Sequence, residues 1–477
     1  MADHATTGPP SKALRRVLVP LALAQFICSF AGSNMNVMIN DMSKDLDTTV
    51  QGIQVAITIF LLVMAALMIP GGKLTDRYGR KRLFTLGLIV YGLGALLSAA
   101  APGLGVLILG NSILEGVGTA LLIPPVYILT TLLFTEITSR ARAFGAISAM
   151  GGVGAAAGPL IGGLITSAIS WRAAFIFQAL VIAAIVLLSR HVEDPLPPDP
   201  TRAFDTGGAV LSSVGLILIV SGILATDNNL WVMLGLVAAG SLVLLWFFRS
   251  TRAKERAGKE ALLSTSLFKN RTSNLGLITQ NAQWLMLMGI SFTVAAYLQV
   301  VRGYDAIQTG VIFTAATVGL LASSLGAERF AKRRAQRTLI MGGFLLTTAG
   351  IALFLTMVGV AVSKDSTSAW VFAPGLLLIG LGVGLMLTPS VNLVQSAFGE
   401  GLQGEISGLS RSVSNLGSSL GTAVAGTILV AGITATPERS YALALAVLAV
   451  IGLVGLAASA MLPGSTAAVA TSKEATA

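Results

Sequence analysis

Apolar residues in this chain come in blocks of about 20, separated by short polar segments, rather than in the alternation of a half-buried strand. A block of that length, wound as a helix, crosses the roughly 30 Å hydrocarbon core of a bilayer. A helix also satisfies its own backbone there, where no water can. Fourteen blocks can be read, centred near Phe26, Leu61, Leu93, Val117, Ala155, Ile182, Leu216, Ala239, Met288, Ala316, Ala349, Leu381, Gly421 and Val450. Pro124 and Pro125 interrupt the fourth. The pattern predicts an all-α polytopic membrane protein.

The polar segments group these spans. Residues 1–16 form a polar N-terminal tail and 17–189 hold six spans, closed by the charged, proline-rich segment 190–205. Two spans follow in 206–248, then a second charged segment, 249–272. Six more spans occupy 273–463, and 464–477 form a C-terminal tail. Six, two and six suggest two six-helix bundles with two extra helices inserted between them.

Composition agrees. Of 477 residues 54% are hydrophobic and only 11% charged, with mean hydropathy +0.82. Such a chain cannot cover a water-facing surface, where about a quarter of residues are charged. The formal net charge of +10 would point to nucleic acid in a soluble protein. Here the basic residues sit in alternate loops, as the positive-inside rule requires. Lys12, Arg15 and Arg16, then Lys73 to Arg82, Arg140 and Arg142, Arg249 to Lys259 and Arg329 to Arg337 fall on one side. Both termini are therefore expected in the cytoplasm of a multi-pass cell-membrane protein, and nucleic acid is not an expected partner. A single cysteine, Cys28, excludes an internal disulfide, two histidines leave little for a metal site, and no cleavable signal peptide is evident.

The loop GGKLTDRYGRKR (71–82) joins spans two and three. Gly72 and Gly79 permit close packing and an unusual backbone. Asp76 could take charge-assisted hydrogen bonds from Arg77 or Arg80 near a helix N-terminus. A plain topology signal would explain the basic charge but not a lone aspartate between two glycines. The pattern G-x-x-x-D-R-x-G-R-K, at Gly72, Asp76, Arg77, Gly79, Arg80 and Lys81, resembles the signature loop of the major facilitator superfamily. The resemblance implies two rocking six-helix bundles, with this loop as a conformational latch. In span five, GGVGAAAGPLIGG (151–163) sets Gly154, Gly158 and Gly162 four residues apart beside Pro159 and Gly163. Generic small-residue packing would use the same spacing. The segment also resembles the antiporter motif of drug:proton antiporters. WRAAF (171–175), YLQVVRGYDAIQTG (297–310), GLGVGLMLTPS (380–390) and GEISGLSRSVSNLG (404–417) resemble further segments of the fourteen-span branch, over residues 17 to about 463.

The chain departs from that branch at its titratable positions. Ala31 stands where span one usually carries aspartate, and Ser112-x-x-Glu115-Gly116 replaces R-x-x-Q-G in span four; GAERFAKRRAQR (326–337) is a degenerate second signature loop. Other intramembrane polar residues are Gln25, Asn34 and Asn36 in span one, Gln280, Gln283 and Trp284 in span nine, and Asn392 and Arg411 near spans twelve and thirteen. Each is either interhelical glue or the lining of a substrate cavity. Spans one and nine hold corresponding places in the two bundles, which favours the cavity.

Glu115 is the sharpest case. About ten residues from the outer end of span four place it roughly 15 Å deep, where an ionised carboxylate costs several kcal/mol unless paired. Asn111, four residues back, could share a hydrogen bond with it. Protonated, Glu115 could simply stand in for the usual glutamine. Alternatively, it carries the coupling protons in place of the missing span-one acid.

No nucleotide-binding G-x-x-x-x-G-K-[ST] loop and no hydrolytic constellation occur, so neither ATP-driven transport, nor an enzyme, nor a cofactor is expected. The expectation is a monomeric secondary transporter that exports hydrophobic or amphipathic small molecules against protons. A translocator of lipids or lipid-like amphiphiles, a proton-independent facilitator and, remotely, a non-transporting membrane sensor are the alternatives.

Overall fold

A computed structural model describes residues 11–134, 137–199, 201, 203–225, 230–331, 335–363, 369–398, 402–432 and 437–464. Most of both tails and part of the degenerate loop at 326–337 lie outside the described residues, as do the side chains of Lys12, Arg15, Asp76, Arg140 and Arg142.

Every regular element among the described residues is helical. The first half holds α1 (Ser11–Asn34), α2 (Ile39–Asp45), α3 (Val50–Tyr78), α4 (Arg80–Ala99), α5 (Leu104–Leu107), α6 (Gly116–Leu133), α7 (Ile137–Ala168) and α8 (Trp171–Leu188). A lone pair follows, α9 (Thr206–Leu224) and α10 (Leu230–Arg256). The second half holds α11 (Arg271–Ala296), α12 (Ala306–Ala331), α13 (Gln336–Ser363), α14 (Ala373–Gln395), α15 (Gln403–Gly432) and α16 (Pro437–Ala460). Spans one, four and nine change winding part-way: a 3₁₀ turn, Met35–Met38, follows α1, and π-helical turns occupy Ile108–Glu115 and Tyr297–Val301.

Among the described residues, twelve helical segments are long and apolar enough to cross a membrane. A thirteenth lies in α7, where Ala143–Ala155 and Ala157–Ala168 meet at 41°, beside Pro159. Fourteen is reached only by counting α15, which has 30 residues but is too polar to meet the same measure. It need not be apolar, because it lies between α3 and α11 rather than against lipid.

Packing divides the helices into two bundles and a lone pair. In the first bundle α1 packs on α7, α4 on α6 and α8, and α3 on α6; in the second, α14 packs on α12 and α13, and α11 on α15 and α16. Two seams join the bundles, α3 against α15 and α7 against α12. The pair α9–α10 leans through α9 on α3 and α15. Its outer helix exposes Trp231, Leu242, Leu245 and Trp246, side chains suited to lipid. Asp205 fastens the pair at its base by capping α9 through Gly208 N at 2.7 Å and by binding Lys254 and Leu262 N. Burial opposes the charge on Asp205, but these bonds outweigh it and hold the carboxyl below its usual range.

The glycines of the span-five motif serve two neighbours. Side chains at Gly154, Gly158 and Gly162 would run into Phe26, Ser33 and Asn34 of α1, whereas one at Gly163 would strike Ala306 of α12. Gly158 has Phe30 O and Asn34 N each 3.1 Å from where its Cβ would stand. Gly158→Leu should therefore cost about 1–3 kcal/mol by overpacking and lower both the apparent melting temperature and transport. Gly145→Leu on the same helix, where a Cβ meets nothing within 4 Å, should stay near wild type. Equal melting temperatures for the two variants would refute the assignment.

Candidate functional site

Three polar assemblies and the basic-loop face hold the residues singled out in the sequence. The first is inside the first bundle. Gly94 of α4 and Gly110 of the π-helical turn bring two backbones together: a Cβ at Gly94 would lie 2.7 Å from Gly110 O and 2.9 Å from Glu115 Cγ. That approach seats Glu115, fully buried, over α4. Ser98 Oγ donates to Glu115 Oε1 at 3.4 Å, and Tyr91, whose hydroxyl donates to Gln178 Oε1 at 2.6 Å, lies beside it. Glu115 Oε2 has no hydrogen-bond partner of good geometry. Neither does the side chain of Asn111, so the expected Asn111–Glu115 bond is absent; the wider π turn takes the two out of α-helical register. Ser112, in the place of the usual arginine, binds Ala56 O of α3 at 2.7 Å.

The second assembly bridges the bundles. Arg411 of α15 reaches Tyr127 of α6, donating to its hydroxyl and lying with its guanidinium carbon 4.7 Å from the ring centre. Tyr127 donates to Gln25 Oε1 at 3.1 Å, and Gln25 Nε2 donates to Ser29 Oγ at 3.1 Å on α1. Phe144 of α7 stacks on Tyr127 at 5.9 Å.

The third lies within the second bundle. Gln280 accepts from Ser410 Oγ at 3.0 Å and donates to Ser414 Oγ at 2.8 Å, while Ser390 Oγ donates to Gln283 Oε1 at 2.9 Å. Trp284 is partly buried against the core. Asn392 exposes its side chain and joins no assembly. Asn34 is buried against Gly162 with its amide unpartnered. Asn36 contributes its backbone: Gln299 Nε2 donates to Asn36 O at 2.8 Å and Gln299 Oε1 accepts from Asn40 N at 3.1 Å, tying span nine to span one on the face opposite the basic loops.

On the basic-loop face, α3 turns into α4 through one residue, Gly79 at φ 95°, a conformation that disfavours side chains. Gly72 has only Pro124 near, its would-be Cβ 3.6 Å from Pro124 Cβ. Arg77 lies over the Tyr78 ring at 5.6 Å. Asp76 lies in the last turn of α3, four residues before α4 begins, and its side chain lies outside the described residues. The carboxylate at the start of α4 is Asp194, from the segment after α8: it accepts from Arg80 N at 2.6 Å and Lys81 N at 3.4 Å, with Arg80 Nη1 3.9 Å away. The ion pair that crosses between bundles is Lys73–Glu405, at 2.8 Å, and Glu405 also accepts from Ser264 N at 2.8 Å. Sequence reasoning singled out none of Asp194, Glu405, Gln299 and Tyr127. Asp194 lies in the charged, proline-rich segment 190–205 and Glu405 in a short polar stretch before span thirteen, and nothing in either pattern marked them out.

Residues 21–422 match the model of the Major Facilitator Superfamily. This chain belongs to that superfamily. It is 30% identical to the puromycin resistance protein pur8 of Streptomyces alboniger over 417 residues, covering 86% of this chain and 81% of that one. It is 27% identical to the probable actinorhodin transporter of Streptomyces coelicolor (89% and 74% covered) and 26% identical to the multidrug resistance protein Stp of Mycobacterium tuberculosis (88% and 77%). A solved POT family transporter in complex with a thioalcohol-conjugated peptide superposes with TM-score 0.69 at 15% identity, covering 94% of this chain and 99% of that one; this is a likeness of fold.

Half-exposed ion pairs contribute roughly 0.2–1 kcal/mol, so loss of Lys73–Glu405 should shift the balance of conformers by up to about fivefold. Glu405→Gln and Lys73→Gln should each lengthen the mean distance between labels on the basic-loop ends of α3 and α15. An unchanged distance distribution in both would show that the pair closes nothing.

Proposed function

We propose that this chain is a secondary transporter that exports hydrophobic or amphipathic small molecules across the cell membrane by alternating access, in exchange for protons. Its termini and basic loops are cytoplasmic in this reading. The observation that carries it is the seam between the bundles. Along α3 and α15, Ser412 Oγ meets Ala65 O, Ser419 Oγ meets Thr58 O at 3.1 Å, and Gln54 Nε2 meets Thr422 O at 3.3 Å. These are neutral hydroxyl- and amide-to-carbonyl bonds, each contributing about 1 kcal/mol or less between membrane helices. Such a seam can be broken and remade as two bundles rock. The Gln25–Tyr127–Arg411 bridge lies in the same interface and offers polar groups beside an aromatic pair, a lining suited to amphiphiles. The relatives named for puromycin resistance, multidrug resistance and actinorhodin transport support export as the direction.

Proton exchange rests on Glu115. Protonated, and serving only as a glutamine substitute, it would hold two good hydrogen bonds; instead Oε2 lacks a well-formed partner and Oε1 has a long one. A group so weakly held gains little as glue, and its environment leaves the proton free to leave when water enters.

Glu115→Gln keeps shape and removes titration. Proteoliposomes carrying this variant should lose pH-gradient-driven uptake of a fluorescent amphiphile, by tenfold or more, while binding the same amphiphile in detergent as wild type does. Retained coupling to the gradient would remove Glu115 from the proton path.

A further inference from the structure

We propose that Arg411 is the residue that recognises the substrate, and that the preferred substrate is a small amphiphile bearing an anionic group such as a carboxylate. The inference rests on the transport reading above and adds the charge of the cargo. A guanidinium is charged at every accessible pH and presents five N–H donors. Within a membrane such a group pairs with an acid or faces a watered cavity. Among the described residues Arg411 has no carboxylate partner; its contacts are the Tyr127 hydroxyl and ring, both neutral. Glu115, the acid buried in the first bundle, faces α4 and forms no ion pair with it. Arg411 is half-buried, and its one hydrogen bond to a neutral hydroxyl leaves most of its five donors for another acceptor.

Geometry around it completes a site for an amphiphile. Tyr127 and Phe144, stacked at 5.9 Å, supply an apolar aromatic wall. Gln25 holds the Tyr127 hydroxyl from the far side at 3.1 Å, which leaves that oxygen's lone pairs toward Arg411. A carboxylate entering here takes the fork of the guanidinium in a bidentate pair, stronger than the single bond to a neutral phenol that it displaces. The same displacement loosens α15 from α6, so binding an anion and opening the bundle interface become one event. A cation gains nothing at this position and meets like charge.

Three dansyl probes with one aromatic body separate the possibilities: dansylglycine (carboxylate), its methyl ester (neutral) and dansylcadaverine (cation). Binding is read by fluorescence on the full-length protein in nanodiscs of phosphatidylcholine. Wild type should bind dansylglycine at least about tenfold more tightly than the other two, the difference expected for one charged hydrogen-bonded pair. Arg411→Gln should abolish that preference while leaving the ester's affinity unchanged, and Arg411→Lys should restore part of it. Equal or tighter binding of dansylcadaverine, or an unchanged preference in Arg411→Gln, overturns the inference and leaves the transport reading standing. Binding of none of the three overturns both. Loss of dansylglycine binding when phosphatidylglycerol is added to the nanodiscs overturns the small-molecule assignment in favour of a lipid headgroup.

Discussion

In hydrocarbon a polar group must find its partner within the protein, and α15 is where that constraint governs the whole arrangement. It carries Glu405, Arg411 and a run of serines through the depth of the molecule, and lipid would not tolerate that face. Its position between α3 and α11 satisfies most of these groups. Toward α11, Ser410 and Ser414 hold Gln280; toward α3, Ser412 and Ser419 reach backbone carbonyls; and Ser418 and Thr422 bond back to their own helix. One polar helix thus belongs firmly to one bundle and lightly to the other. Side-chain bonds to Gln280 fix α15 to α11, while along α3, apart from the Lys73–Glu405 ion pair at the basic-loop end, hydroxyl-to-carbonyl bonds tolerate a change of register.

The second seam uses closeness instead of polarity. Where Pro159 and Gly163 of α7 meet Gly310 and Ala306 of α12, backbone touches backbone near the face opposite the basic loops. Such contacts are short-ranged and lost within an ångström or so of separation. Gln299 adds its two bonds to span one on the same face. The π turn carries Gln299 to the 3₁₀ turn, where its side-chain amide satisfies two backbone groups of span one, Asn36 O and Asn40 N.

Spans whose neighbours are lipid were legible in the sequence, because lipid imposes an apolar face. The six-two-six layout was legible for the same reason, through the charged segments that interrupt it. What could not be read was partnership at a distance. Asp76 resembled a capping acid, yet the group at the start of α4 is Asp194, more than a hundred residues on, brought there by the packing of α8 on α4. The segment 71–82 reads as a loop in the sequence, yet Gly72, Asp76 and Arg77 end α3, Arg80 and Lys81 begin α4 and Gly79 alone lies between. An ion pair from this segment to the other bundle uses Lys73, which the motif does not single out, and Glu405. Asn111 and Glu115 were placed one α-helical turn apart. A π turn has no hydrophobic periodicity of its own, so nothing in the sequence announced that the two would fall out of register.

Glu115 and Arg411 occupy unlike settings, and the difference bears on how a transporter of this kind can work. Glu115 is enclosed by α4 and its own π turn, with weak bonds and no counter-ion; Arg411 faces the interface, with one neutral hydroxyl. Had they been paired, each would have neutralised the other in every conformation, and neither a proton nor an anion would have had reason to enter. Unpaired with one another, each leaves a charge requirement that a mobile species can meet: in the proposed reading, a proton at Glu115 and an anion at Arg411. Both species neutralise buried charge on arrival, so both lower the cost of carrying their site through the dry intermediate in which neither face is open. An empty carrier keeps an unmet guanidinium in that intermediate, and a deprotonated one keeps an unmet carboxylate. In exchange, each productive crossing carries one neutralised and one unneutralised site, so the wholly empty crossing, with both unneutralised, is the one that desolvation disfavours most.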